Sequence, residues 1–408
     1  MPVVPLFVVD PAFVAAGAPR REYMHRALHN LDRSMGDALV YRNGDPRDVV
    51  PQFAAEVGAE SVFVSRDYGP YGRRRDATVA ERLRVDGREL IGRGSPYAVA
   101  PGTVVKDDGQ PYAVFTPFAK RWRTHAVGEP LEAPDVDWLG ALTIACDGGP
   151  TSIDPGCALP EIGEAAGVER WSAFADGPLD VYNSQRDVPA VAGTSQLSAD
   201  LRWGVVHPRQ LLADLSPTAA HDTFATELAW RDFYADVLYR RPGSAWENLD
   251  ARMNMMAVDT DDQARQRFAV WCEGRTGFPI VDAGMRQLLA TGWMHNRVRM
   301  ITASFLVKDL HLPWQWGARH FMNRLIDGDL ASNNLGWQWA AGTGTDAAPY
   351  FRVFNPAAQA ERFDPDGEYA RRWIPEIGTS TYPAPMVDHA AERREALHRY
   401  GLVVGSTR

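Results

Sequence analysis

The sequence predicts an α/β domain at the N-terminus followed by a mostly α-helical domain. Up to about residue 100, apolar runs typical of strands alternate with helical patterns. From about 101 to 165 the chain is rich in Pro and Gly and weak in periodicity. From about 166 onward, apolar residues recur at three- and four-residue spacing. The 408 residues are enough for two or three such domains.

The α/β domain, residues 1–100, is predicted from three strands that are each followed by a helix. The first strand is the nearly continuous apolar run at 3–10, whose β-branched residues are typical of a buried parallel strand. Further strands are predicted at 38–44 and 61–67. Helical spacing follows each strand, and Asp45 stands where the N-cap of the second helix is expected.

The remaining chain divides into a linker, residues 101–165, and a helical domain, residues 166–408. The linker is expected to cross the surface because it lacks a periodic apolar pattern. The clearest helical spacing lies in three segments, 221–241, 281–292 and 296–312.

Composition excludes several classes of protein. Hydrophobic content of 45% and charged content of 23% are ordinary for a globular protein, and no apolar run approaches the roughly 18 residues of a membrane span. The three cysteines fit neither a disulfide framework nor a zinc site, which predicts a cytoplasmic location and no metal. The net charge of −9 argues against general coating of nucleic acid. The local excess of basic residues in 281–352 is either a phosphate-attracting footprint or scatter, and we expect a monomer.

The first polar segment is YNSQRDVPAVAGTSQLS, residues 182–198. After Gly193, the hydroxyl side chains of Thr194, Ser195 and Ser198 could present oxygens and free backbone N–H groups to an anion such as a diphosphate. The alternative is an ordinary helix N-cap.

The second polar segment is ELAWRDFY, residues 227–234. Glu227, Trp230, Arg231 and Tyr234 share one helix face. A glutamate beside an aromatic ring can have its proton affinity raised by desolvation and then donate a hydrogen bond. The alternative is a surface ion pair between Glu227 and Arg231.

The third polar segment is WMHNRVRM, residues 293–300. Asn296 and Met300 lie one turn apart and are flanked by Arg297 and Arg299, which offers an amide, a thioether and two phosphate-seeking guanidiniums. His295 has no second histidine at ligand spacing and is expected to be structural.

The fourth polar segment is DGDLASNNLGWQWAAGTGTD, residues 327–346. Asp327 and Asp329 could pair with arginine or accept hydrogen bonds from ring nitrogens and ribose hydroxyls. Trp337 and Trp339 are two residues apart and cannot share a helix face, so they are expected to point in different directions.

Together these segments resemble the DNA photolyases of the photolyase/cryptochrome family, closest to the class I cyclobutane pyrimidine dimer photolyases. The resemblance rests on GTSQLS, ELAWRDFY, GRTGFPIVDAGMRQLLATGWMHNRVRMITASFLVKDL and FMNRLIDGDLASNNLGWQWAAGTGTDAAPYFRVFNP, and runs from about residue 3 to the C-terminus. It implies a Rossmann-like α/β antenna domain and a helical domain that binds FAD and DNA.

The resemblance also implies the residues of the flavin site. Tyr182, Thr194, Ser195, Gln196, Leu197 and Ser198 would hold the phosphate side of a U-shaped FAD. Arg231, Arg299, Asp327, Gly328, Asp329 and Asn333 would line the flavin side. Asn333 would lie near flavin N5, and Asp329 would pair with Arg299.

The implied reaction is light-driven repair of cyclobutane pyrimidine dimers in DNA, in which excited reduced FAD, FADH⁻, gives one electron to a flipped-out dimer. The implied catalytic residues are Glu227, Asn296, Met300, Trp337 and Trp314. The implied DNA and lesion contacts are Arg186, Trp230, Tyr234, Arg297, Trp339, Arg352 and Gln359. A single histidine, His295, favours the cyclobutane-dimer branch, because the (6-4) relatives carry a pair there.

Three features depart from the family pattern. Family members place a strand and a helix ahead of the run at 3–10, so the chain is expected to be truncated and two strand edges to be open. Asp261 stands at the position of the distal tryptophan of the flavin-reducing chain, so photoreduction is expected to be slow or to end on another aromatic residue. Gly72 replaces the glutamate of folate-type members, which favours a deazaflavin over a folate as antenna chromophore.

Two alternatives come from other functional classes. A cryptochrome-like blue-light photoreceptor would bind flavin without repairing DNA, but such proteins usually lack the lesion-side glutamate or tryptophan, which are present here as Glu227, Trp230 and Trp339. The second alternative is an inactive flavin-binding remnant.

Overall fold

The computed structural model describes residues 2–125, 127–132, 135–140, 144–345 and 351–405. Its N-terminal part contains strands β1 (Leu6–Val9), β2 (Val40–Asn43), β3 (Ser61–Ser65) and β4 (Glu89–Arg93), with helices α1 (Ala18–Ser34), α2 (Pro46–Glu56) and α3 (Pro70–Val85). The three predicted strands are confirmed. The predicted cap is confirmed too, because the Asp45 side chain accepts a hydrogen bond from the backbone N–H of Arg47 at 2.9 Å.

The four strands form two separate parallel pairs. β1 pairs with β2, and β3 pairs with β4. Within the described residues, each of the four strands has a partner strand on one edge only. Phe63 of β3 is 59% exposed. Every strand in the described part of the α/β domain therefore has one unpaired edge, and the two particular open edges expected from the sequence stay a prediction.

The segment predicted as a surface linker contains a buried helix, α4 (Phe115–Trp122). Its Phe118 and Trp122 are buried, and the Phe118 ring lies 5.0 Å from that of Phe233 in the helical part. The prediction missed this helix because its apolar residues fill only two turns, at 115, 118, 119 and 122. The predicted domain boundaries stay a prediction.

The helical part confirms the second half of the predicted architecture. Between residue 94 and residue 405 no strand is assigned to the described residues. The helices are α5 (Glu164–Ala175), α6 (Tyr182–Gln185), α7 (Ser198–Trp203), α8 (Pro208–Ala213), α9 (Ala219–Arg240), α10 (Asp262–Cys272), α11 (Pro279–Thr291), α12 (Asn296–Ser304), α13 (Trp314–Arg324), α14 (Leu330–Ala341), α15 (Pro356–Phe363), α16 (Glu368–Trp373) and α17 (His389–Gly405). A π-helical turn, Phe305–Asp309, extends α12, and short 3-10 turns lie at Pro11–Phe13, Pro178–Val181, Pro242–Ala245 and Ala251–Met255.

Helix α14 positions the predicted site. It packs against α9, α12 and α13, and its Trp337, Ala340 and Ala341 belong to the largest buried hydrophobic cluster. Three of the four polar segments found in the sequence therefore lie on neighbouring helices. Among the described residues, no helix has the length and apolar character needed to cross a bilayer.

Candidate active site

The turn before α14 holds a bidentate acid–arginine pair. Buried Asp327 accepts hydrogen bonds from the two terminal nitrogens of Arg299, at 3.2 and 2.7 Å. The prediction that Asp329 pairs with Arg299 is therefore wrong. Asp329 is the N-cap of α14, where its Oδ1 accepts from the backbone N–H of Ser332 at 2.8 Å, and its nearest guanidinium is Arg202 at 3.7 Å.

Gly328, between these two acids, presents its carbonyl oxygen to two guanidiniums. Arg20 of α1 donates to it at 3.2 Å and Arg202 at 3.3 Å. Burial, followed by the charge of Arg202, lowers the pKa of Arg20 to about 10, so the side chain stays charged at neutral pH. This concentration of positive charge suits an anionic or polar part of a nucleotide cofactor.

One face of α14 is shaped for a neighbouring group. The Asn333 side chain donates to the carbonyl of Ala318 at 3.0 Å and to Asn334 Oδ1 at 2.7 Å, which fixes its orientation. One turn later, the position that a Cβ of Gly336 would take has no heavy atom within 4 Å apart from the adjoining backbone of the same helix and the adjacent residues. Open space therefore lies beside the helix close to Asn333.

The two tryptophans of α14 point in different directions, as predicted. Trp337 is 3% exposed, and its ring centroid lies 5.0 Å from that of Phe321. Trp339 is half-buried and lines a cleft of about 180 Å³ together with Lys308 and Arg352. Residues 346–350 of the same motif lie outside the described residues.

The loop before α7 presents the hydroxyl residues that the sequence singles out. Gln196 has a φ of 53°, so the chain turns sharply there. Trp293 donates to Ser198 Oγ at 3.3 Å, and Ser195 Oγ accepts from the backbone N–H of Leu197 at 3.4 Å. No side chain caps α7, so the ordinary N-cap alternative is not observed. Thr194 lies in the same loop.

The α9 face pairs with the 182–198 segment. Arg186 donates to Glu227 Oε1 at 2.6 Å, and its guanidinium lies 5.5 Å from the ring centroid of buried Tyr182. The alternative of a Glu227–Arg231 surface pair is wrong, because Arg231 donates to the carbonyls of Pro96 and Leu201 at 2.8 and 3.0 Å. Its guanidinium also lies 4.5 Å from the centroid of the Tyr97 ring.

Trp230 is held by aromatic neighbours. The Phe115 ring of α4 stacks on it at a centroid distance of 3.6 Å with 10° between the ring planes. The ring of Tyr234 lies at 5.3 Å. Trp230 remains half-buried, so it is a fixed aromatic plate that reaches the surface of the helical part.

The start of α12 carries the third polar segment. Exposed Asn296 occupies the first helical position. Arg297 pairs with Asp187 at 2.8 and 3.2 Å and donates to Met300 Sδ at 3.7 Å. Its guanidinium also lies 4.6 Å from the ring centroid of Phe363 in α15, the helix that carries half-buried Gln359.

His295 joins the two sides of this site. Its ring caps α12 by accepting from the backbone N–H of Arg297 at 3.2 Å, which confirms the expected structural role. Burial lowers its pKa to about 4, and Asp187, Arg299, Arg297 and Arg186 act on it electrostatically in that order. The Asp327–Arg299 side and the Arg186–Glu227 side are therefore adjacent. His295 Nε2 is buried without a partner among the described residues.

Several residues of this arrangement were not predicted. Three of them act through contacts between segments that lie far apart in sequence. Asp187 pairs with Arg297, and Arg20 and Arg202 donate to the carbonyl of Gly328. Phe115 backs Trp230 from a segment predicted to be a linker. Only Phe115 had a local signal, namely the two-turn apolar spacing of α4.

The positions expected to carry electrons have separate surroundings. Trp314 is buried, and its indole N–H donates to Asn248 Oδ1 at 2.8 Å. Asp261, at the position expected for a distal tryptophan, is the N-cap of α10 and accepts from the backbone N–H of Ala264 at 2.8 Å. The acid at this position therefore has a structural use.

A second cleft, of about 390 Å³, lies between the α/β domain and α9. Arg66, Asp67, Tyr68 and Tyr239 are among its lining residues. A Cβ at buried Gly72 would stand 1.9 Å from Asp67 Oδ2, so a side chain at this position would require Asp67 to move.

The residues present fit a flavin nucleotide. The partnerless Nε2 of His295 and the open space beside Gly336 lie next to an acid–arginine pair and a fixed amide. The site offers hydrogen-bonding groups and an open face for a polar ring system, and it offers clustered cations for a diphosphate.

Comparison with known proteins agrees with this site. A family model described as DNA photolyase matches residues 1–135, and one described as the FAD binding domain of DNA photolyase matches residues 224–380. The deoxyribodipyrimidine photo-lyase of Thermus thermophilus is 40% identical over 401 residues, which cover 97% of this chain and 91% of that protein.

Solved structures share the whole fold. A bacterial class III photolyase from Agrobacterium tumefaciens has a TM-score of 0.88 and 32% identity, covering 99% of this chain and 92% of that chain. The Synechocystis sp. PCC6803 cryptochrome has a TM-score of 0.86 and 26% identity, covering 96% and 92%.

Proposed function

We propose that this chain, which belongs to the DNA photolyase family, is a light-driven enzyme that repairs cyclobutane pyrimidine dimers in DNA. The observation that carries the proposal is the two-sided arrangement around α12. Arg299 pairs with Asp327 in the predicted flavin site, whereas Arg297 lies with Asp187 beside the Arg186–Glu227 pair. A cofactor and a substrate can therefore be held next to each other.

FAD is the cofactor that this site fits. Bound in its reduced form, FADH⁻, it supplies after light absorption the electron that splits the cyclobutane ring. Asp327, Arg299 and the Asn333 amide would hold the isoalloxazine side, and the loop at 194–198 would hold the diphosphate side with Tyr182. These residues orient the group, and the buried surroundings exclude water from it.

The lesion would lie on the Glu227 side. Trp230 and Trp339 offer aromatic faces for a flipped-out dimer, and Asn296 and Met300 would pack against its bases. Glu227 would leave Arg186 and, in its protonated form, donate a hydrogen bond to a dimer carbonyl. That bond strengthens as the carbonyl gains charge, so it stabilises the reacting state more than the bound state.

The DNA backbone would be bound by cations around this opening. Arg186, Arg297 and Arg352 supply positive charge, while Tyr234 and Gln359 supply hydrogen-bonding groups. Phosphate contacts of this kind fix the position of the duplex without reading sequence. The requirement to flip a nucleotide out of the duplex then favours damaged sites, because extrusion costs least where base pairing is already distorted.

Further proposals concern the setting of the enzyme. We infer a deazaflavin rather than a folate as antenna chromophore, because position 72 carries a glycine instead of the glutamate of folate-type members, and a side chain there would require Asp67 to move. A monomer in the cytoplasm is consistent with the single-chain site and with three cysteines that form no disulfide among the described residues.

Two substitutions separate lesion binding from repair. Stacking on an aromatic side chain contributes about 1–3 kcal/mol per base, so Trp339→Ala should weaken binding of dimer-containing DNA roughly ten- to a hundredfold and leave undamaged DNA nearly unchanged. Glu227→Ala should lower repair per absorbed photon more than it lowers affinity. A flavin-loaded parent protein that does not distinguish damaged from undamaged DNA would contradict the proposal and favour the photoreceptor alternative.

A further inference from the structure

Four aromatic rings form a continuous series that begins at Trp337 in α14. The Trp337 and Trp271 centroids are 6.0 Å apart. Trp271 and Phe268 of α10 are stacked at 5.8 Å, and Phe268 lies 5.4 Å from Trp316 of α13. We call Trp337, Trp271, Phe268 and Trp316 the aromatic ladder.

The aromatic ladder leads from the buried site to the surface. Trp271 is 0% exposed and Trp337 is 3% exposed, whereas Phe268 and Trp316 are only half-buried. Trp337 packs tightly against α13, because a Cβ at Gly317 would stand 2.1 Å from its Cη2 atom. The first ring is therefore fixed in position, and the last one can exchange electrons with a solute.

We propose that the aromatic ladder carries electrons from a soluble thiol to the flavin when the bound flavin is oxidised. The inference rests on the proposed function, since it needs a light-absorbing flavin beside Trp337. It differs from the route implied by family resemblance, which passes through Trp314 and would end at the position of Asp261. Among the described residues, Trp314 makes no ring contact with Trp337.

The chemistry of the rings suits this direction of transfer. Indoles lose an electron more readily than a phenyl ring, so Trp337, Trp271 and Trp316 are the sites where the electron vacancy rests. Phe268 lies between Trp271 and Trp316 and is not oxidised itself. The Arg265 guanidinium, 5.6 Å from the Trp316 ring centroid, disfavours a positive charge there and so favours loss of the indole proton.

Electrons and protons balance in each cycle. After light absorption, one electron passes from Trp337 to the oxidised flavin, and Trp337 is refilled from Trp271 and then from Trp316. The Trp316 indole releases its Nε1 proton to water and becomes a neutral radical. A thiol then returns one electron and one proton to it, and two thiyl radicals combine to a disulfide. A second photon repeats the transfer. Of the two protons released to water, one would be taken up when the flavin reaches its two-electron-reduced form, FADH⁻.

The test measures light-dependent reduction of the bound flavin, followed by its absorbance, in the FAD-loaded protein with excess thiol. Trp316→Phe keeps a ring in place but removes the oxidisable indole, so reduction should slow at least tenfold. Trp316→Tyr should restore much of the rate, because a phenol can also be oxidised with loss of a proton. Trp373→Phe is the matched control, since Trp373 is a half-buried indole packed on the same core but outside the aromatic ladder.

The outcomes separate this inference from the proposed function. If Trp316→Phe is photoreduced at the parental rate, or if Tyr fails to restore the rate that Phe loses, the aromatic ladder is not the path. Repair by chemically reduced Trp316→Phe protein should equal that of the parent, because repair needs no electron from the surface. Absence of repair in every chemically reduced variant and in the parent would instead refute the proposed function.

Discussion

The pairing of Arg299 with Asp327 rather than Asp329 yields a quantitative prediction. Removing one partner of a buried ion pair costs about 3–5 kcal/mol, because a charge is left without compensation. The Arg299 side chain is 24% exposed, so water relieves part of that cost. We expect Asp327→Ala to lower the free energy of unfolding by about 2–3 kcal/mol after this discount. Asp329→Ala removes a helix cap and should cost about 1 kcal/mol.

A double-mutant cycle isolates the pair. Arg299→Ala should couple to Asp327→Ala by at least about 1.5 kcal/mol and to Asp329→Ala by less than about 0.5 kcal/mol. Stability is measured by urea unfolding at one fixed excess of FAD, with flavin release as the signal, because bound ligand adds to stability. Equal coupling of Arg299 to both acids, or stronger coupling to Asp329, would refute the assigned pairing.

Three further predictions use other parts of the structure. Gly317→Ala places a Cβ 2.1 Å from Trp337 Cη2, so overpacking should lower the free energy of unfolding by about 1–3 kcal/mol in the same assay, and an unchanged value would contradict the packing of Trp337. His295 and His320 have pKa values lowered by burial to about 4. Between about pH 6.5 and pH 4 these histidines are protonated in the unfolded chain but neutral in the folded protein. The free energy of unfolding should therefore fall on acidification, by about 2 kcal/mol per histidine at pH 5. His320→Gln should remove its share of that loss, and an unchanged pH profile would contradict its burial. Affinity for DNA should fall steeply as the salt concentration rises. Arg297→Ala should reduce the slope of the logarithm of the binding constant against the logarithm of the salt concentration by about 1. An unaltered slope would show that Arg297 does not contact a phosphate.

The sequence predicted the architecture where one apolar pattern dominates. Strands at 3–10, 38–44 and 61–67, and long helices such as α9, followed from period and length alone. It missed α4, because two turns of spacing in a Pro- and Gly-rich context give a weak signal.

The site residues could be grouped from the sequence but not paired. Asp327 and Asp329 are the same residue type two positions apart, and only the start of α14 decides which one caps the helix. Asp187 holds Arg297 across 110 positions, a distance over which no local rule operates. The aromatic ladder likewise joins three helices, so its rings meet only in the folded chain.

The central claim is that light drives repair of pyrimidine dimers by this protein. The most direct measurement counts the dimers that remain in an oligonucleotide after illumination with FAD-loaded, chemically reduced protein, beside an identical sample kept in the dark. We predict loss of more than one dimer per protein molecule in the light and none in the dark. Fully reduced, flavin-loaded protein that removes no dimer under light would contradict the claim, and equal loss in the dark would show that the reaction is not photochemical.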